Sequence, residues 1–165
     1  MRKFIVSIDQ GTTSSRAILF DLKGKPVFVS QLEFTQHFPK DGWVEHDPEE
    51  IWSSTQKVLK KVVQKSKSLK GKILTIGITN QRETTILWDK HTGKAVYNAI
   101  VWQDRRAVEY CNKLIKQKKE TLIFNKTGLL IDAYFSATKI KWILDNVPKA
   151  KKLLKQKRLL FGTVD

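Results

Sequence analysis

Apolar and polar positions alternate in three short runs at the start of the chain, Lys3 to Ile8, Arg16 to Phe20 and Val27 to Phe34. A period of two predicts strands. The first connection is Asp9-Gln10-Gly11-Thr12-Thr13-Ser14-Ser15 and the second is Asp21-Leu22-Lys23-Gly24-Lys25, where Gly24 supplies a positive-φ position. An antiparallel three-strand meander is expected. After a polar loop with Pro39, Asp41 and Gly42, the run Asp47-Pro48-Glu49-Glu50 reads as a helix start, with Asp as N-cap, Pro at the first position and acids in the first turn. Ile51, Trp52, Thr55, Val58, Leu59, Val62 and Val63 then keep one helical face apolar, and the helix is predicted to end near Lys67.

Ile73 to Thr79 has the pattern of a buried strand, and Thr84 to Trp88 with Tyr97 to Trp102 predict a hairpin around Lys90-His91-Thr92-Gly93-Lys94. A second helix places Ala107, Val108, Cys111, Leu114 and Ile115 on its apolar face. Further helices are predicted from Glu120 to about Lys126, from Ser136 to Asn146 with Ile140, Ile143, Leu144 and Val147 inward, and around Ala150 to Gln156. Arg158 to Val164 is predicted as a last strand. The order β-β-β-α-β-α-β, with the hairpin after the fourth strand, predicts an α/β fold. Its mixed sheet should have three antiparallel strands first and later strands joined by helical crossovers. An α/β sheet needs both faces covered, and the chain stops at Asp165 with no helix after its last strand. The expectation is a domain cut short at its C-terminal end.

Composition narrows the class. With 165 residues and 41% hydrophobic content the chain is one domain's worth, large enough for a real core. Cys111 is the one cysteine, so no intramolecular disulfide or cysteine zinc site is available, and a reducing cytoplasm fits. The apolar stretch Phe4 to Ile8 is far short of a signal segment or of a membrane span of about 20 residues. A net charge of +15 raises the question of nucleic acid. Most of the charges lie in three lysine clusters, Lys57 to Lys72, Lys113 to Lys119 and Lys149 to Arg158, without interleaved aromatics and with little arginine. Lys57, Lys60, Lys61, Lys65 and Lys67 alternate with Val58, Leu59, Val62 and Val63, the pattern of a solvated helix face. A basic nucleic-acid-binding module is therefore the alternative, supported by charge and not by base-stacking residues.

The first connection is also the first chemical candidate. Gly11 allows close backbone approach, while Thr12, Thr13, Ser14, Ser15 and the turn's N–H groups offer donors to phosphate oxygens. Asp9 at its mouth could hold Mg²⁺ through water. It is not a Walker A loop, since no Gly-Lys-Ser/Thr and no helix follow. An ordinary Thr/Ser-rich turn has the same composition, and the loop alone leaves both readings open. Asn80-Gln81-Arg82-Glu83 follows a strand at its carboxyl end, where α/β sheets bind ligands, and Arg82 with Glu83 suits neighbouring hydroxyls of a polyol or a plain ion pair. Trp102 stands before a helix start, where it could pack on a ligand's carbons or on the core. Tyr134 lies in a loop ahead of Ser136, the expected N-cap. His37, His46 and His91 have no metal-ligand spacing and are expected at the surface, and the sequon Asn125-Lys126-Thr127 carries little meaning without secretion.

Taken in order, these residues resemble the FGGY carbohydrate kinases, and within them the members that act on glycerol. The resemblance runs from Phe4 to Asp165. It is most specific in Ile8 to Arg16, in Gly42-Trp43-Val44-Glu45-His46-Asp47-Pro48, in Ile78 to Thr85, in Tyr97 to Gln103 and in Tyr134 to Asn146, which is similar to the family's first signature. It implies an actin-like, ribonuclease H-like ATPase fold, with residues 1–165 forming an incomplete first domain and a second domain absent. It implies ATP-dependent phosphorylation of glycerol to sn-glycerol 3-phosphate by a longer, oligomeric, cytoplasmic parent. The implied partners are glycerol and ATP or ADP, with Mg²⁺ and with no nucleic acid or membrane insertion. Thr12, Thr13, Ser14 and Arg16 would meet nucleotide phosphates, with Asp9 near the Mg²⁺. Arg82, Glu83 and Tyr134 would bind glycerol, with Trp102 against its carbons. The family's general-base Asp is expected outside this chain. Ala133 stands where the family often has Pro, which loosens the expected hold on Tyr134. A nuclease on the same fold would need clustered carboxylates around two metals, whereas the fourth strand runs into Asn80-Gln81-Arg82.

Overall fold

The computed structural model describes all residues from Met1 to Asp165. The elements in order are β1 (Arg2–Gln10), β2 (Ser14–Asp21), β3 (Pro26–Glu33), β4 (Glu45–His46), α1 (Pro48–Ser68), β5 (Gly71–Asn80), β6 (Ile86–Asp89), β7 (Ala99–Ile100), α2 (Val108–Lys116), α3 (Glu120–Thr127), α4 (Ser136–Asn146), α5 (Pro148–Lys155) and β8 (Leu159–Gly162). They fall into two compact units. The first is Met1–Gln36, Asp47–Gln81 and Val164–Asp165, and the second is His37–His46 and Arg82–Thr163. No helix is long and apolar enough to cross a membrane.

The first unit is a four-stranded sheet in the order β3-β2-β1-β5. β1, β2 and β3 form the antiparallel meander, with Gly24 at φ 79 in its second turn. β5 returns parallel to β1 after α1. α1 starts as the sequence dictates: an Asp47 carboxylate oxygen accepts the Glu49 N–H at 2.9 Å, Pro48 opens the helix, and Glu49 and Glu50 oppose the dipole. Phe4, Val6 and Ile8 of β1 and Ala17 and Leu19 of β2 are buried against Val58 and Val62 of α1. A Cβ at Gly71 would come within 2.1 Å of the Phe4 ring, so glycine is what lets β5 start beside β1.

Two expectations change here. Ile73 to Thr79 is not a buried strand: β5 is an edge of the sheet, α1 packs chiefly over β2 and β3, and Leu74, Ile76 and Ile78 are exposed. Trp52 is exposed as well. The buried positions of α1 are Ile51, Thr55, Val58 and Val62, with Ser54 and Ser66, and Trp52 is turned about 100° away from Ile51. Lys57, Lys60, Lys61 and Lys67 are exposed, and Lys65 lies 5.9 Å from the centre of the Phe28 ring. That is the solvated face expected of this cluster.

The second unit departs further from the pattern. β6 pairs antiparallel with β8, from Ile86 opposite Gly162 to Asp89 opposite Leu159. The predicted hairpin with residues 97–102 survives only as the bridges Trp88–Ala95 and Thr85–Ile100. β7 pairs instead with β4, a strand the polar loop did not announce. The last strand thus stays out of the mixed sheet and closes no second parallel crossover. The guanidinium of Arg158 holds the Asp89 carboxylate, which lies below the usual carboxylate range for that reason, and this pair ties β8 to β6. His46, expected at the surface, is fully buried in β4.

The core of this unit is Leu87, Ile100, Ile143 and Ala150, with Ile140, Leu144 and Val147 packed on it as the helical period predicts. α3 ends on Gly128 at φ 71. By contrast, the residues that follow the caps of α1, α2 and α5 are Lys70, Lys118 and Lys157, at φ 51, 56 and 55.

Candidate functional site

The hairpin between β1 and β2 is tighter than its sequence suggests. Asp9 pairs with Arg16 and Gln10 with Ser15, and only Gly11, Thr12 and Thr13 lie outside both strands. The Gly11 N–H donates to the Ser14 carbonyl at 3.0 Å, and a Cβ on Gly11 would lie 3.1 Å from that oxygen. No helix follows, which excludes a Walker A cradle.

Of the hydroxyls, Thr13 is exposed and Thr12 half-buried. The Gln36 amide donates to the Thr12 carbonyl at 3.1 Å and anchors the tip. Ser14 is buried and its Oγ accepts from Gln31 Nε2 at 2.9 Å. Arg16 Nε donates to Gln31 Oε1 at 3.1 Å, so Gln31 joins two candidate phosphate ligands. Ser15 points the other way, with Oγ 2.8 Å from Ser54 Oγ and 3.1 Å from Thr55 Oγ1 of α1. Three hydroxyls thus fasten the hairpin to the helix. Asp9 is half-buried on β1.

The remaining candidates lie in the second unit. Glu83 takes the left-handed conformation at φ 64, a strained state for a residue with a Cβ. Its carboxylate oxygen Oε2 accepts from the Ser136 backbone N–H at 2.9 Å and from Ser136 Oγ at 2.8 Å. This corrects the reading of Ser136 as N-cap: Phe135 occupies that position, and Ser136 is the first residue of α4. With no capping side chain from its own strand of sequence, the helix start is satisfied by a carboxylate 53 residues away.

Tyr134 stands two residues before α4, its ring centre 6.0 Å from that of Trp102 at 70° and 5.2 Å from that of Phe135 at 88°. The loop that carries it is held despite Ala133. The Tyr134 N–H donates to Asp132 Oδ1 at 2.7 Å, and the Ala133 methyl is buried against Ala107 and Cys111. Trp102 is placed by its own N–H, which donates to Thr84 Oγ1 at 3.3 Å. Glu83, Trp102 and Tyr134 are therefore one cluster, with the exposed Arg82 adjoining it in sequence.

Two charged residues in this unit were not singled out by the sequence reading. The Arg106 guanidinium is completely buried, 2.8 Å from Glu45 Oε1 and 2.8 Å from Asp104 Oδ2. Its centre lies 3.9 Å from the Trp43 ring and 4.6 Å from the Trp142 ring, within cation–π distance. Burial raises the Glu45 pKa, but hydrogen bonds from Tyr97, Arg106 and Asn98 and the Arg106 charge outweigh it and hold the carboxyl below its usual range. Asp104 also accepts the Val44 N–H at 2.7 Å, so the ion cluster joins the Trp43 segment to the loop after Trp102. The other is Lys139, completely buried in α4. Burial pulls its pKa down from 10.5 to about 8, against the charges of Glu83, Asp104, Asp132 and Cys111. A lysine three places before Trp142 looks, in sequence, like one more surface cation.

The FGGY family of carbohydrate kinases, N-terminal domain, matches residues 4–165. A glycerol kinase of Marinomonas sp. (strain MWYL1) is 62% identical over 165 residues, which is 100% of this chain and 33% of that protein. The glycerol kinase of Limosilactobacillus reuteri (strain DSM 20016) is 57% identical over 164 residues, 99% of this chain and 33% of that protein. The crystal structure of Plasmodium falciparum glycerol kinase with ADP matches with a TM-score of 0.92 at 37% identity, covering 99% of this chain and 33% of that one. The chain thus spans about a third of the length of these relatives. Its mixed sheet and α1 crossover are those of the actin-like ATPase fold of the sugar kinases. From hairpin to α4, the chain belongs to the FGGY family of carbohydrate kinases.

Proposed function

We propose that this chain is the incomplete first domain of a kinase that transfers a phosphoryl group from ATP to glycerol, giving sn-glycerol 3-phosphate. What supports this most is the Glu83, Trp102 and Tyr134 cluster, found in a chain 57% and 62% identical to glycerol kinases along its whole length. A polyol needs paired donors and acceptors for its hydroxyls and an apolar face for its carbons. Glu83 is an acceptor whose two protein contacts both fall on Oε2, leaving Oε1 for a ligand hydroxyl. Arg82 is the donor, the Trp102 ring the apolar wall, and Tyr134 a further polar edge.

The hairpin is the phosphate grip. Thr12 and Thr13 at its tip, Ser14 and Arg16 beside it and the turn's backbone donors face the nucleotide's phosphates. Asp9 is near the Mg²⁺ that neutralises them. No group of three or more His, Cys, Asp and Glu could cage a metal. One carboxylate acting through water fits Mg²⁺, which keeps much of its hydration and is shared with substrate phosphates. The general base belongs to the rest of the parent, which we place in the cytoplasm as a homo-oligomer.

The test is ADP formation by a polypeptide extended to the length of the relatives. Glycerol-dependent turnover is expected, with glycerol preferred over pentoses and hexonates. Glu83→Ala and Arg82→Ala should each lower kcat/KM for glycerol by about 1 to 3 kcal/mol of binding, and Asp9→Asn should lower kcat with little change in glycerol affinity. Turnover that ignores glycerol would overturn the reading. Residues 1–165 alone are expected to show none, because nucleophile, phosphoryl group, metal and base must be placed together.

A further inference from the structure

Lys139 Nζ donates to two backbone carbonyls, that of Glu83 at 3.0 Å and that of Tyr134. Those residues are 51 positions apart in sequence, and both belong to the cluster proposed to hold the polyol. The Glu83 backbone is left-handed, so its carbonyl direction is set by something other than regular secondary structure. Ser136, one turn of α4 before Lys139, grips the carboxylate of the same residue through its N–H and hydroxyl. Main chain and side chain of Glu83 are therefore both held from one face of α4, and the segment just before that helix carries Tyr134.

We propose that Lys139 is a positioning residue that sets the spacing between the Glu83 carboxylate and the Tyr134 ring. What the clamp positions rests on the glycerol reading; the clamp itself does not. A buried cation is an expensive connector: burial disfavours its charge, which is why it titrates near 8. An apolar residue of the same length would relieve that cost but break the link between the two carbonyls: that of Tyr134 would lose its donor, while that of Glu83 would keep only the Thr85 and Ser136 hydroxyls, at 3.1 and 3.4 Å. The titratable groups facing it are Glu83, Asp104, Asp132 and the Cys111 thiol, which burial keeps protonated to higher pH than usual. Its Nζ also stands 5.9 Å from the centre of the Tyr134 ring. Retaining lysine here costs stability and fixes geometry, as buried polar groups do where they select one arrangement among several.

The experiment is nuclear magnetic resonance on the 165-residue chain. In Lys139→Met, amide exchange at Glu83, Thr84, Phe135 and Ser136 is expected to speed up at least ten-fold, while amides of β1 and β2 stay within two-fold. Lys139→Arg, which keeps donors, should stay closer to the unsubstituted chain. A change below two-fold at Glu83 and Ser136 in the Met variant would overturn the proposal. The unsubstituted chain supplies a measurement that does not depend on the variant folding. The carbonyl carbons of Glu83 and Tyr134 should shift with one common midpoint as Lys139 loses its proton, and separate midpoints or no shift would overturn it. Glycerol added in the same experiment judges the other reading: if it moves neither the Trp102 indole nor Tyr134, the polyol assignment fails, whatever Lys139 does.

Discussion

The two candidate grips are built from different materials. The hairpin proposed to grip phosphate is a turn between adjacent strands, fastened to α1 by the neutral hydroxyls of Ser15, Ser54 and Thr55 above an apolar core. The cluster proposed to hold the polyol is assembled from residues 83, 102, 134 and 136 and supported by buried charges: Arg106 between Glu45 and Asp104, and Lys139 under Glu83 and Tyr134. The first arrangement tolerates the loss of one partner, because Ser54 and Thr55 also donate to the Ile51 carbonyl within their helix. The second does not, since a buried ion that loses its partner keeps its full desolvation cost.

The sharpest way to break this contrast is Arg106→Met. It leaves the Glu45 and Asp104 carboxylates buried without their cation and is expected to cost about 3 to 5 kcal/mol. Urea unfolding would show it, and a loss under about 1 kcal/mol would mean that water or repacking rescues the pair.

Lys139 should reveal itself through pH. Its folded pKa, lowered from 10.5 to about 8, means that between those values the unfolded chain binds the proton and the folded chain does not. Stability therefore rises with pH across that window, by up to about 3 kcal/mol. The comparison is between the unsubstituted chain and Lys139→Met at pH 8 and pH 10. The variant should lack the rise, and equal slopes would remove the buried charge from the account.

On the other side, Ser15→Ala removes two neutral hydrogen bonds and is expected to cost about 1 kcal/mol, read from the same urea curves. A cost comparable to that of Arg106→Met would erase the distinction between the two grips. The smallest effect has the opposite sign. Lys70 sits at φ 51 after α1, where glycine carries no Cβ penalty, so Lys70→Gly should stabilise by roughly 0.5 to 1 kcal/mol. A shift in the thermal midpoint by a few degrees would register it.

The same contrast explains what could be read in advance. The meander, Gly24, the Asp47 cap and the inward stripe of α4 are local: each signal lies within a few residues of the structure it specifies. β4 has only two residues and owes its existence to β7, which lies more than 50 positions away, so no periodicity announces it. Strand periodicity in Leu74, Ile76 and Ile78 was real, but a period of two does not say whether the face will be covered. Ser136 had the residue type of an N-cap and the right neighbourhood. The carboxylate of Glu83 took that task instead, which only a fold that joins residues 83 and 136 can show. Lys139 and Arg106 were hidden by base composition: among 31 basic residues, nothing local marks the two that are buried.

The edge of the first sheet has a consequence for how the chain behaves among copies of itself. β5 offers ten residues of open strand whose side chains include exposed Leu74, Ile76 and Ile78, the profile of a template for intermolecular strand pairing. Against such pairing stands the mutual repulsion expected from a net charge of +15. That repulsion reaches only about 10 Å at 0.1 M salt and about 3 Å at 1 M, whereas apolar contact along an edge is not screened. Colloidal stability of this chain is therefore expected to depend on the ionic medium as much as on the fold, with a lysine-rich surface set against the open edges of the first sheet.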